Sequence, residues 1–182
     1  MAKPSQEALA YSAAALQSGD ARAALAIRNR EFGQESCSFD DSTVTTMEFI
    51  LGRTPVLLAD CLPEVLEPLR IAAAMMELWG TNNIRQFATI EGQLDYRFGF
   101  DAIAHMLHTH GCFLRSLDDF HRAGISHVKL LGTHGSHDCE ACRAANEKSF
   151  PISKVPEIPL ISCTCDDKYG CRIMVIADDC AC

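Results

Sequence analysis

Apolar residues recur with the period of an α-helix over much of the N-terminal part of the chain. Two segments rich in alanine and leucine share residues 5–32, and Ser18-Gly19-Asp20 separates them. Glycine suits the left-handed residue that ends one helix, and aspartate suits the N-cap of the next. The clearest helix is predicted over about 67–79, where Pro68 fits the first turn and apolar side chains lie on both sides. A helix with that pattern is central and buried.

The remaining pattern predicts shorter elements. Residues 33–46 are rich in hydroxyl and acidic side chains and are predicted to form a loop. Apolar and polar residues alternate from Leu94 to Phe100, which favours a strand, or a hairpin over about 86–100. Two further helices are predicted over 101–110 and 112–123, and a strand over 126–131 leads into a cysteine-rich segment.

The cysteines of that segment predict a zinc site. Cys139 and Cys142 form a C-x-x-C, and two cysteines at this spacing on a tight turn can place both sulfur atoms on one ion. Cys163, Cys165 and Cys171 follow. A second pair across a hairpin would complete the tetrahedron of thiolates that Zn²⁺ prefers. The sequence therefore predicts one structural zinc ion near the C-terminus.

Together these elements predict an α+β fold. A mainly helical N-terminal domain over residues 1–124 is expected to precede a small β zinc ribbon over residues 125–182. The length of 182 residues is enough for one good core, or for one domain with a small appendage. Hydrophobic residues make up 48% of the chain, which is ordinary for a folded soluble protein.

Ten cysteines require a choice between disulfides and metal. The first residues lack the apolar run of a signal peptide, and no stretch approaches the roughly 18 apolar residues of a membrane helix. We therefore expect a cytoplasmic protein, and clustered cysteines in that reducing compartment more often bind metal. Cys37, Cys61 and Cys112 lie among apolar neighbours and are expected to be small core residues.

The charge distribution restricts the class of partner. The formal net charge is −8, from 24 acidic and 16 basic residues, and charges balance between Cys139 and Ile176. A ribbon that grips phosphates should be clearly basic, because counterion release supplies most of that affinity. We expect neither a nucleic-acid nor a membrane partner, but a protein partner or self-association. The proline-stiffened apolar stretch 155–161 is expected to pack on the helical half or on that partner.

The segment over about 122–176 has a characteristic order of motifs. The C-x-x-C with Arg143 is followed by an Asn146-Glu147-Lys148 turn, an apolar Phe150-Pro151 strand, a proline-rich stretch and Cys171-Arg172. In this order the segment resembles the C-terminal zinc-binding segment of Mu F-like phage head morphogenesis proteins, which are minor capsid proteins. The resemblance covers under a third of the chain. It implies a zinc ribbon in a structural or protein-interaction protein without catalytic activity.

Two positions depart from that family. Glu147 stands where the family usually has glycine, and Ile173 stands where its final second cysteine would be. The pair Cys163 and Cys165 can replace the missing cysteine, which leaves five candidates for four positions. The choice between Cys163 and Cys165 stays open. His134 and His137, just before the C-x-x-C, are alternatives as ligands or as partners of a sulfur atom.

An alternative function is a metal-dependent enzyme. Asp101, His105 and His108 lie at i, i+4 and i+7 of a predicted helix, and two histidines with a carboxylate bind metal in many Fe and Zn enzymes. In this interpretation the ribbon is a stabilising appendage, whereas in the simpler one the three residues form a solvated face. The chain has no P-loop, no Gly-x-Gly-x-x-Gly and no Gly-x-Ser-x-Gly motif. A redox role for the C-x-x-C is disfavoured because more cysteines follow it.

Overall fold

A computed structural model describes residues 3–34, 40–80, 87, 96–132, 138–165 and 173–178. In this part of the chain, five long helices precede a short helix and a small sheet, which confirms the predicted α+β fold. The elements are α1 (Gln6–Gln17), α2 (Ala21–Glu31), α3 (Asp40–Gly52), α4 (Pro63–Trp79), α5 (Phe100–Arg122), β1 (His127–Leu131), α6 (Glu140–Ala145), β2 (Ser149–Pro151) and β3 (Met174–Ala177).

The junction between α1 and α2 follows the prediction. Gly19 has a φ of +79°, in the left-handed region that favours glycine. The side chain of Asp20 accepts a hydrogen bond of 2.8 Å from the backbone N–H of Ala23, as an N-cap residue does. The two helices therefore begin and end where the sequence places them.

The loop predicted over residues 33–46 is wrong from Asp40 onward, where α3 begins. Val44, Met47 and Ile50 lie on one face of α3 and are buried in the core. The hydroxyls of Thr45 and Thr46 donate to backbone carbonyls one turn earlier, which satisfies them within the helix. Burial of the apolar face thus outweighs the low helix propensity of serine, threonine and aspartate.

Helix α4 begins earlier than predicted, at Pro63, so Pro68 lies inside the helix rather than in its first turn. A proline there leaves the carbonyl four residues earlier, on Glu64, without its helical donor. Glu64 is exposed, so water can reach this group. Gly80 ends the helix with a φ of +64°, as the sequence predicts.

A buried arginine fixes α4 to the end of α3. Arg70 donates from Nη1 to the carbonyls of Ile50, Leu51 and Arg53 at 2.7, 3.1 and 2.7 Å. The carbonyls of Ile50 and Leu51 belong to the last turn of α3, where no helical donor remains for them, and Arg53 directly follows the helix. The guanidinium therefore stabilises the C-terminus of α3.

The strand predicted around residues 86–100 is wrong where the structure describes it. Tyr96 to Phe98 form a bend, and Phe100 begins α5. Phe98 is buried, and the Arg97 side chain donates to the carbonyl of Leu57 at 2.7 Å. From Tyr96 to Phe98, the alternating pattern thus belongs to an irregular segment packed on the core. Phe87 lies in a turn, and the rest of the predicted hairpin lies outside the described residues.

The two helices predicted over 101–110 and 112–123 form one continuous helix, α5. Gly111 lies within it, where α5 packs against α3. A Cβ added at this position would lie 2.5 Å from Cγ1 of Ile50 and 3.1 Å from the carbonyl oxygen of Thr46. Gly111 therefore allows α3 and α5 to approach closely, and it does not interrupt α5.

Strand β1, which the sequence predicts, is the centre of a three-stranded antiparallel sheet with the order β2-β1-β3. Val128 pairs with Phe150 of β2 and with Ala177 of β3. Val128 and Leu130 are fully buried while their neighbours are half-buried, which is the alternation of a sheet with one covered face. Strand β3 packs on α5 and joins the sheet to the helices.

The core continues across the predicted boundary at residues 124 and 125. Buried residues of all five long helices, the sheet and the stretch after β2 form one cluster. In that stretch, Ile158 is fully buried, and its carbonyl accepts a hydrogen bond of 2.7 Å from Nδ1 of His110 on α5. The backbone N–H of Val56 donates to Glu157 at 2.8 Å. The apolar stretch therefore packs on the helical half.

Candidate metal centre

The first two cysteines of the centre are positioned by α6. Cys139 is the N-cap residue of this helix and Cys142 lies in its first turn, so both side chains reach the same side. The side chain of Arg143 donates to the carbonyl of Asp138, which fixes the residue before the helix. At the other end, the side chain of Asn146 accepts a hydrogen bond of 2.7 Å from the N–H of Gly132, just after β1.

The second pair comes from the segment after the buried Leu160. The backbone N–H of Cys163 donates to the carbonyl of Leu160 at 2.8 Å, so a turn anchored in the core directs the chain toward α6. Cys163 and Cys165 are both buried. Their Sγ atoms lie beside those of Cys139 and Cys142, and all four sulfur atoms lie within 4.8 Å of one another.

The separations between sulfur atoms match a tetrahedral site. The distance between Sγ atoms is 4.0 Å from Cys139 to Cys163, 3.6 Å from Cys142 to Cys163 and 3.8 Å from Cys142 to Cys165. A tetrahedron with Zn–S bonds of about 2.3 Å has sulfur–sulfur edges of about 3.8 Å. A disulfide would require about 2.05 Å. The four cysteines therefore form no disulfide with one another and are arranged so that they could hold a metal ion.

Backbone N–H groups point at the sulfur atoms. Thr164 donates to Sγ of Cys139 at 3.4 Å, Cys139 donates to Sγ of Cys165 at 3.5 Å, and Cys165 donates to Sγ of Cys163 at 3.5 Å. Such donors favour a thiolate over a thiol. Backbone N–H groups thus place partial positive charge beside the sulfur atoms of Cys139, Cys163 and Cys165.

The pKa values show how burial and these donors compete. Burial raises the pKa of Cys139, but hydrogen bonds from the N–H groups of Thr164 and Cys142 and from the Cys142 side chain together outweigh it, so the pKa lies below its ordinary value. Burial, aided by the neighbouring Cys163 and opposed by the N–H of Cys139, raises the pKa of Cys165 to about 12. The protein alone therefore does not hold all four groups as thiolates near neutral pH. A bound cation would supply the missing positive charge.

The structure brings together four of the five predicted cysteines, and both Cys163 and Cys165 belong to the set. The turn after Leu160 brings both Cys163 and Cys165 to α6. Cys171, His134 and His137 lie outside the described residues.

A second set of residues that could hold a metal ion lies on the helices. The ligating atoms of Glu77, His108 and Cys112 also lie within 4.8 Å of one another. Within the described residues, Asp101, His105 and His108 do not form such a set, so the helix positions predicted for a second site are not the ones that converge. The sequence pattern found one member, His108. It missed Glu77 because that residue is on α4, and it assigned Cys112 to the core.

Comparisons with known protein families, with curated proteins and with solved structures find no match to this chain. Among the helices that the structure describes, none has both the length and the apolar character that crossing a membrane requires.

Proposed function

We propose that this chain is a zinc protein in which one Zn²⁺, bound by Cys139, Cys142, Cys163 and Cys165, has a structural role. The observation that carries the proposal is the convergence of four sulfur atoms, all within 4.8 Å of one another, with three of their separations between 3.6 and 4.0 Å. Soft thiolate ligands in a tetrahedron favour zinc over the hard cations Mg²⁺ and Ca²⁺. Four thiolates leave no open position for water or substrate, so this centre does not catalyse a reaction.

The zinc ion would hold together a part of the chain that has little regular structure. Helix α6 has six residues and β2 has three. Elements of this length bury too little apolar surface to be stable alone. A metal that joins Cys139 to Cys163, across 24 residues, supplies binding free energy that becomes folding free energy.

We further propose that the protein acts by contact with another protein or with a second copy of itself. A saturated thiolate centre and the net charge of −8 favour this class over catalysis at the zinc and over nucleic-acid binding. The exposed side chain of Ile161, 68% accessible, lies between the buried Leu160 and the cysteines. We propose this exposed apolar side chain, next to the four-cysteine centre, as the contact point.

The turn after α6 supports kinship with the phage head morphogenesis proteins. Glu147 has a φ of +61°, in the left-handed region, at the position where that family usually has glycine. Its N–H donates to the carbonyl of Leu130 at 2.7 Å, which ties the turn to β1. The kinship is a proposal that rests on the order of motifs and on this conformation.

X-ray absorption and metal analysis test the zinc centre. After dialysis against a weak chelator, the zinc that the reduced protein retains should be coordinated by sulfur only. Cys142→Ser should lose this zinc, whereas Cys61→Ser, at a buried cysteine outside the set, should keep it. Nitrogen or oxygen ligands on the retained zinc, or equal zinc in the two variants, would contradict the proposal.

Light scattering and chemical crosslinking test the contact. Ile161→Asp should weaken self-association or partner capture, and Ser162→Asp, at the exposed neighbouring residue, should have no effect. If both variants keep every contact of the wild type, Ile161 is not part of an interface.

A further inference from the structure

We propose that Glu77, His108 and Cys112 form a second zinc site, separate from the four-cysteine centre, with three protein ligands and one position open to a cavity. This site goes beyond the structural zinc proposed above and does not depend on it. The sites use different residues on different elements.

The two helices α4 and α5 place the three side chains. His108 and Cys112 are four residues apart and therefore lie one above the other on the same face of α5. Glu77 extends from α4, which packs against α5. Nε2 of His108 lies 2.8 Å from Oε2 of Glu77 and 3.8 Å from Sγ of Cys112.

These distances are close to those of a tetrahedral zinc site. With Zn–N and Zn–O bonds near 2.05 Å and Zn–S near 2.3 Å, the nitrogen–oxygen edge is about 3.4 Å and the nitrogen–sulfur edge about 3.6 Å. The separation of His108 and Glu77 would have to increase by about 0.5 Å, and that of His108 and Cys112 to decrease slightly.

The geometry argues against a catalytic triad of these residues. In a triad the two ring nitrogens of histidine have different partners, one the nucleophile and the other the carboxylate. Here Nε2 of His108 faces both Cys112 and Glu77. One nitrogen cannot accept a proton from the thiol while it donates to the carboxylate. A cation between the three atoms satisfies all of them, because each then contributes a lone pair.

A cavity adjoins the set. It has a volume of about 200 Å³ and is bounded by His108 and Cys112 themselves, by the hydroxyl residues Thr109 and Ser116, and by apolar residues that include Phe113 and Val175. The side chains of His108 and Glu77 are only 28% and 21% exposed, so the ligands are shielded from bulk water. The fourth position of the metal would face this cavity and hold a water molecule or a small ligand, as in zinc sites that have three protein ligands.

Metal titration of the reduced, metal-free full-length protein tests the proposal, with Zn²⁺ as the probe and bound metal counted by elemental analysis. We expect two zinc ions per wild-type chain, and one in Glu77→Gln and in Cys112→Ser. His105→Gln, on the same helix but outside the set, should bind two. The second zinc should also dissociate first during chelation, because three ligands with a single thiolate hold it less tightly.

A hydrogen-bonded polar cluster that binds no metal predicts a different result. Equal zinc in wild type, Glu77→Gln and Cys112→Ser would overturn the proposal, whether the wild-type chain binds one zinc ion or two. Both substitutions are nearly isosteric, and circular dichroism confirms that each variant is folded before its metal is counted. A four-cysteine centre that binds no zinc gives a different result, because Cys142→Ser then binds as much zinc as the wild type.

Discussion

Substitution of Gly111 by alanine tests the close packing of α3 on α5. The added Cβ would lie 2.5 Å from Cγ1 of Ile50, a distance that real Cβ contacts essentially never show. Ile50 is 1% exposed and has a branched, stiff side chain, so it has no free space to move into. The second neighbour, the carbonyl oxygen of Thr46 at 3.1 Å, belongs to the backbone of α3. The two helices would have to separate.

Two opposing effects set the change in the free energy of unfolding of Gly111→Ala. Overpacking of a filled core costs about 1–3 kcal/mol, and a contact this short with a fixed neighbour belongs in the upper half of that range. Alanine in a helix interior is about 1 kcal/mol more favourable than glycine. The net effect is a loss of about 1–2 kcal/mol in the free energy of unfolding. For a chain of this size this corresponds to a melting temperature roughly 2–8 °C lower.

Urea unfolding followed by circular dichroism, at a fixed saturating zinc concentration, measures this change. Gly52→Ala is the matched control, because a Cβ there meets nothing within 4 Å, and this variant should be as stable as the wild type or more stable. If Gly111→Ala is at least as stable as the wild type, the reasoning about helix approach is wrong.

Two other substitutions test the C-terminal part by urea unfolding. Glu147→Gly should raise the free energy of unfolding by about 0.5–1 kcal/mol, because glycine adopts a φ of +61° without the steric cost of a Cβ, whereas Glu147→Ala should gain nothing. Lower stability of the glycine variant would contradict the left-handed turn. Ile158→Asp should lose more than about 4 kcal/mol or fail to fold, since it buries an unpaired charge, while Ile161→Asp at an exposed site should change by about 0.5 kcal/mol or less. Equal stability of these two aspartate variants would show that the stretch does not pack on the helices.

Local signals in the sequence predicted the fold where the backbone itself requires a particular residue. The left-handed Gly19 and the N-cap Asp20 act through their own hydrogen bonds and conformations, so they can be identified without knowledge of the rest of the chain. Helix α3 could not be predicted in this way, because its hydroxyl-rich sequence becomes helical through burial of Val44, Met47 and Ile50. Gly111 misled the prediction for the same reason, since its role depends on a side chain of another helix.

The candidate sites show the same limit. The C-x-x-C pair is local, and its geometry follows from one short helix. The sequence was therefore sufficient to predict that Cys139 and Cys142 lie side by side. Inclusion of both Cys163 and Cys165 depends on a turn that is fixed by burial of Leu160. The set of Glu77, His108 and Cys112 joins two helices, and no spacing along the chain indicates that α4 packs beside this face of α5.

The position of β3 would link the two proposed zinc ions thermodynamically. Ile173, Met174 and Val175 bound the cavity beside His108 and Cys112, and β3 is held there by pairing with β1. Helix α6, which carries Cys142, is tied to the end of β1 by the two residues that follow it. The Asn146 side chain bonds to Gly132, and the backbone of Glu147 bonds to Leu130. If zinc at that centre orders the sheet, it also completes the wall of the cavity and raises the affinity of the second site. Thermodynamic linkage then requires that zinc at the second site raises the zinc affinity of the four-cysteine centre by the same factor.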